Sequence, residues 1–117
     1  MIYVDDIGIP ATVPNGRVTH TSRWSHMIAD TQEELHEFAV GELRLKRSYF
    51  QPGRRRSDGT PSILWHYDLT ENKRAQAIRK GAIAVSWRDI PAIIAAREAG
   101  QQWQPTADGP EQEGRLF

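Results

Sequence analysis

The sequence predicts an α/β domain: a small, mainly parallel sheet with flanking helices and an N-terminal β-hairpin excursion. Three observations predict it. Apolar runs at 2–5, 62–69 and 82–87 have the length and composition of buried strands. Two of these runs lead straight into helix-start signals, at Thr70-Glu71 and at Asp89-Ile90-Pro91. A capping-box spacing, Thr31-Gln32-Glu33-Glu34, opens a further helix. Strands alternating with helices favour right-handed crossovers and parallel pairing.

Taken in order, Ile2-Tyr3-Val4-Asp5 reads as a short buried strand with Asp5 and Asp6 at its C-terminal end. Residues 9–20 read as a hairpin reversing at Pro14-Asn15-Gly16, and 21–30, with Trp24 and His26, as the connection that follows. From Thr31, residues Leu35, Phe38, Ala39 and Leu43 recur at helical spacing and mark a buried face; Gly41 either ends this helix or is tolerated within it. Arg47 to Gln51 fits a second core strand. The Pro- and Gly-rich stretch 52–61, with Arg54, Arg55 and Arg56, fits an exposed loop.

The stretch 62–81 organises the chain, because a strand ending in His66, Tyr67 and Asp68 meets a helix capped by Thr70 and closed by Gly81. Residues 82–87 then suit a strand covered on both faces, and Asp89 with Pro91 starts a helix that stops at Gly100. The expected organisation is one α/β domain over 1–100 and an irregular tail over 101–117.

Composition narrows the chemistry. With no cysteine, thiolate nucleophiles, disulfides and cysteine zinc sites are excluded, so any metal must be held by His, Asp or Glu. No apolar run approaches the roughly 20 residues of a membrane span, and the acidic N-terminus does not resemble a secretion signal. The expectation is a cytoplasmic protein with no membrane partner. Net charge is zero, yet residues 41–80 carry ten basic and four acidic side chains against two and six over residues 1–40. Such asymmetry either marks a phosphate-bearing partner or is a solvated surface whose charges pair in the fold.

Placed at one edge of the expected sheet, Asp5, Asp6, Ser48, Gln51, His66, Asp68 and Ser86 surround a site that His26 can reach from its loop. Asp5, Asp6 and Asp68 are the candidate metal ligands: oxygen donors suit magnesium or manganese, and a larger imidazole share suits zinc or nickel. His66, Asp68 and His26 are the candidate catalytic residues. As alternate residues of one strand, His66 and Asp68 are expected to point in parallel without pairing. His66 with Asp5, or His26 with Asp68, would instead give a base oriented by a carboxylate. Thr70, Lys73 and Arg74 are the candidate phosphate-binding residues, with Arg54–Arg56 as a further cationic group. The bland alternative is that Asp68 caps the Thr70 turn and His66 is a satisfied inner polar group.

Several of these segments also resemble a known family. Tyr3-Val4-Asp5-Asp6, Trp24-Ser25-His26, Ala29-Asp30-Thr31, Glu34-Leu35-His36, Ser48-Tyr49-Phe50-Gln51, His66-Tyr67-Asp68-Leu69-Thr70, Lys73-Arg74 and Gly81-Ala82 are similar to the bacterial and phage domain of unknown function 4031 family. The resemblance spans about residues 1–88 and implies no particular activity, cofactor or catalytic residue.

Two functions of different class follow from the residues themselves. One is a metal-dependent phosphoester hydrolase acting on a nucleotide or nucleic acid, using a divalent ion. The other is a non-catalytic module that binds a nucleotide, a nucleic acid or a protein through its tryptophans. Monomer and homodimer are both compatible with the sequence.

Overall fold

The computed structural model describes residues 1–15, 18–60 and 62–104. A sheet of six strands runs in the order β4-β5-β3-β1-β6, with β2 attached to β3 beside β1. The strands are β1 (Ile2–Val4), β2 (Ile9–Asn15), β3 (Val18–Ala29), β4 (Phe50–Gln51), β5 (His66–Thr70) and β6 (Ile83–Ala84). The α/β character is as expected, but the sheet is mixed rather than mainly parallel. Among the described residues only β1 and β6 pair in parallel; β1 with β3, β2 with β3, β3 with β5 and β4 with β5 are antiparallel.

The physical reason lies in residues 21–30. They are not a connection, because the second hairpin strand runs straight on to Ala29 and becomes the central strand of the sheet. Polar residues such as Ser22, Arg23 and Ser25 hide its pattern. A strand this long has room for two neighbours on one side: β2 pairs with its first part and β1 with its last. Gly8, at φ 59°, lies in the jog between them. Two other expected core strands shrink to two residues each. Residues 47–49 form a 3-10 turn before β4, and 87–89 form another after β6.

Alternation along the strands sends side chains to two different covers. Ile2, Val4, Met27, Ala29, Tyr67 and Leu69 pack under helix α1 (Gln32–His36), its continuation over Glu37–Glu42, and helix α2 (Glu71–Arg79). Tyr3 and Ile28 pack on the opposite face under helix α3 (Ile90–Glu98), against Ile93 and Ile94. Each fully buried leucine on these faces contributes about 1.5–3 kcal/mol.

Thr31 caps α1 as expected, accepting from the Glu34 N–H, while the Glu34 carboxylate binds the Met1 amine instead of closing the capping box. Residues 37–42 widen into a π-helical turn that contains Gly41, and Arg44, at φ 59°, follows its end. Thr70 caps α2 by accepting from the Lys73 N–H. Asp89 does not cap α3 directly: it accepts from the Ser86 N–H, and Ser86 accepts from the Arg88 N–H, so the box closes on the preceding turn. Residues 101–104 have no regular secondary structure, and Trp103 packs edge-on against Tyr3. The rest of the expected tail, 105–117, lies outside the described residues, as does the Gly16 end of the expected hairpin turn. Among the described residues no helix is long and apolar enough to cross a membrane.

Tyr3 gives the fold a testable alkaline limit. Its hydroxyl donates to Asp30 Oδ1 at 3.1 Å, and burial, aided by the Asp30 charge, pushes its pKa from 10.0 up to about 12. The folded state therefore favours the neutral phenol. That preference is fully present below pH 10 and is lost as the pH rises towards 12, a change of roughly 2–3 kcal/mol. Urea unfolding of the wild type should weaken across pH 10–12, and Tyr3→Phe should remove most of that slope. An equal slope in both proteins would place the titration elsewhere.

Candidate metal centre

α3 covers only the Tyr3–Ile28 end of its face. The rest of that face carries a row of polar side chains set by strand register. Asp5 follows β1, where its N–H donates to the His26 carbonyl, and His26 on β3 pairs with Asp68 on β5. His66 lies two residues before Asp68, opposite Gln51 of β4. Three neighbouring strands thus place Asp5, His26 and Asp68 side by side.

Asp5 is 1% exposed, and both of its oxygens are engaged. Oδ1 accepts from the His26 N–H at 2.8 Å and from the Ile7 N–H at 3.4 Å; Oδ2 meets His26 Nδ1 at 2.7 Å. Burial alone would raise the carboxyl pKa, but the bonds from His26 outweigh it and hold Asp5 below the usual carboxylate range. The same bond raises His26, against the opposing effect of its burial and with a smaller contribution from Asp68. Because Asp5 is an acceptor, His26 Nδ1 carries the proton and, in the neutral ring, Nε2 keeps its lone pair.

His66 is set the same way by a different acceptor. Its Nδ1 lies 2.7 Å from the Leu64 carbonyl, which can only accept, so the neutral ring again offers Nε2. That atom is 3.2 Å from Asp68 Oδ1. The expectation that His66 and Asp68 point in parallel is therefore corrected: the Leu64 bond turns the imidazole towards its neighbour. The two histidine rings meet edge to face, with centroids 5.0 Å apart.

His26, His66 and Asp68 bring one ligand-type atom each to within 4.8 Å of one another, in a group that could hold a metal ion. Two ligands on a tetrahedral ion with bonds of about 2.0–2.1 Å lie roughly 3.3 Å apart, close to the observed His66–Asp68 separation. An anionic oxygen and an imidazole lone pair at that distance repel unless a proton or a metal cation lies between them or beside them. Each imidazole is also held from behind, as metal-binding histidines are, by a carboxylate or a carbonyl.

The remaining sequence candidates lie outside this three-residue group. Asp6 accepts from the Trp87 N–H at 2.8 Å, which fixes the turn after β6. Arg74 donates Nε to the Asp5 carbonyl at 2.6 Å and lines a separate recess of about 150 Å³ with Asp6, Gly8, Arg23, Ser25 and Glu71. Lys73 donates Nζ to the Leu43 carbonyl at 2.7 Å. Arg54, Arg55 and Arg56 are exposed, and Arg55 donates to the Gly59 carbonyl across its own loop.

His26 and Asp68 open into a cleft of about 820 Å³, within the usual size of ligand sites. Trp24, Tyr49, Gln51, Asn72, Thr70 and Lys73 are among its walls. Of these, Tyr49 and Asn72 carry no site signal in the sequence, and Trp24 is marked there only as one of the tryptophans of the binding-module alternative. The signal that could have found Trp24 is its alternation with Ser22 and His26, which matches that of His66, Asp68 and Thr70. The Trp24 indole is anchored by donating to the Ala11 carbonyl at 3.3 Å.

Comparison with known families decides the relationship. Residues 2–97 match the family described as protein of unknown function (DUF4031). The chain belongs to that family. Its match runs through every residue of the polar row and extends past Trp87 into α3, so the helix that covers half of this sheet face is part of the family domain. No curated protein and no solved structure matches the chain.

Proposed function

We propose that this domain is a metal-dependent phosphoester hydrolase acting on a nucleotide or nucleic acid, with zinc or nickel held by His26 Nε2, His66 Nε2 and Asp68. One observation carries the reading: two imidazoles, each fixed through Nδ1, cluster with one carboxylate at the head of a cleft, and His66 Nε2 lies 3.2 Å from that carboxylate. Imidazoles outnumber carboxylates here, which favours zinc or nickel over magnesium. Three protein ligands leave a coordination position for water or substrate, and an ion so placed polarises a phosphoryl oxygen and makes water a better nucleophile.

Within this reading Asp5 is a positioning residue rather than a ligand, because neither of its oxygens is free. Lys73 and the Thr70 hydroxyl remain the phosphate-facing groups, since both line the cleft. Arg74 drops out of that role, being held in the other recess.

Thermal unfolding of chelated protein tests the metal centre. Saturation with zinc or nickel at about 100 times Kd stabilises the native state by about 2.7 kcal/mol, which should raise Tm by roughly 10 °C. Magnesium should do much less. The rise should vanish in Asp68→Ala and in His66→Ala; a rise that survives both would mean the ion binds elsewhere, and no rise with any metal would end the proposal.

A further inference from the structure

We infer, resting on the hydrolase reading above, that the substrate is a singly charged phosphodiester bearing a nucleobase, with the base packed against Tyr49, rather than a terminal phosphate or polyphosphate. The first argument is charge. A divalent ion with one carboxylate and two neutral imidazoles carries a net charge of about +1. Among the described residues that line the cleft, Lys73 is the only arginine or lysine; its ammonium also donates to the neutral Leu43 carbonyl, and its positive charge is offset by the Asp5 carboxylate behind His26. Arg74 lines the other recess, and Arg54–Arg56 are not part of the cleft wall. One negative charge is matched by this arrangement. A terminal phosphate brings roughly −1.5 to −2, and polyphosphates bring more.

The second argument is the remaining wall. Tyr49 is 46% exposed although it lines the cleft, so its ring presents aromatic surface there, with the Lys46 ammonium 5.9 Å from its centre. Gln51 and Asn72 supply neutral amide donors and acceptors, and Ser48 and Thr70 supply hydroxyls. Stacking together with amide hydrogen bonds is how single-stranded bases are held. The volume of about 820 Å³ is large for a phosphate group alone.

The reaction adds one water across one P–O bond. The water oxygen joins phosphorus, the bond to one ester oxygen breaks with its electron pair, and that oxygen takes up a proton. The products are a phosphomonoester and an alcohol, and no other reactant is needed.

Three substrates with one leaving group test the inference on zinc- or nickel-loaded protein: thymidine 5′-(p-nitrophenyl phosphate), methyl p-nitrophenyl phosphate and p-nitrophenyl phosphate. The base-bearing diester should exceed the other two in kcat/KM by at least about tenfold. In parallel, calorimetry of the dinucleotide TpT on metal-free protein reads base binding without turnover. Tyr49→Ala, an exposed change that spares the core, should weaken TpT binding by about tenfold and should remove the advantage of the base-bearing diester. Faster cleavage of the monoester, or equal rates on the two diesters, would overturn the inference while leaving a metal-dependent hydrolase. TpT binding unchanged in Tyr49→Ala would overturn the placement of the base. Tyr49-dependent TpT binding without hydrolysis of any ester would sustain the base site and sink the hydrolase reading.

Discussion

Asp5→Asn should leave the domain folded and still weaken zinc or nickel binding by about 10- to 100-fold, the usual cost of losing the partner behind a metal-bound histidine. Asparagine keeps the shape of aspartate and one oxygen for the His26 and Ile7 N–H groups. Its amide donates where the carboxylate accepted. His26 Nδ1 must then become the acceptor, its proton moves to Nε2, and the lone pair proposed to bind the metal is gone. Asp5→Ala should act differently, through stability. It leaves the His26 N–H and Nδ1 without their acceptor at a site that is 1% exposed, at a cost of about 3 kcal/mol. Metal titration beside urea unfolding separates the two effects. Folded Asp5→Asn with wild-type affinity would show that Asp5 does not set the tautomer.

Arg97→Ala should be the most destabilising change on the opposite side of the site. The guanidinium crosses from α3 to the sheet, donating Nη1 to the Ala29 carbonyl at 3.0 Å and Nη2 to the Ile63 carbonyl. It also lies 3.5 Å from the centre of the Trp65 ring. Burial lowers its pKa, a sign of the desolvation that these contacts must offset, and its Nε has no hydrogen-bond partner. Truncation orphans two carbonyls and removes a desolvated cation–π contact worth about 2 kcal/mol; allowing for non-additivity, the loss should be about 3–4 kcal/mol. Arg97→Lys should recover little, because one ammonium cannot copy a planar fork. Arg88→Ala is the matched control: that guanidinium also sits over an indole, Trp87, but at 5.1 Å and with the indole 46% exposed, so the change should cost no more than about 0.5 kcal/mol. Equal losses at positions 88 and 97 in urea unfolding would refute the argument.

Both sites explain what was legible in the sequence. The junction at Thr70 was readable because local chemistry decides it: a hydroxyl caps a helix wherever an extended segment stops. The leucine pattern after Thr31 held even more than a helix. Leu35, Ala39 and Leu43 are fully buried at a strict spacing of four, wider than the 3.6 residues of an α-helical turn, which suits a segment that begins as α and widens into a π turn. The central strand was hidden because its cleft-facing positions carry Trp24 and His26, residues chosen for a site rather than for a core. With β3 unrecognised, the neighbours of β1 and β5 could not be inferred, and neither could the meeting of Asp5 with His26. Register is a long-range property, and no local pattern encodes it.

The prolines of β2 carry one last consequence, for assembly. Pro10 and Pro14 stand opposite Arg23 and Thr19, and neither has an N–H to give. Since β2 still pairs with β3 over its whole length, the missing donors fall on the outward side, four residues apart. A strand from another molecule laid along that margin would find two rungs of its ladder missing. The ribbon therefore ends the sheet, and sheet growth from copy to copy is blocked at this margin by the sequence itself.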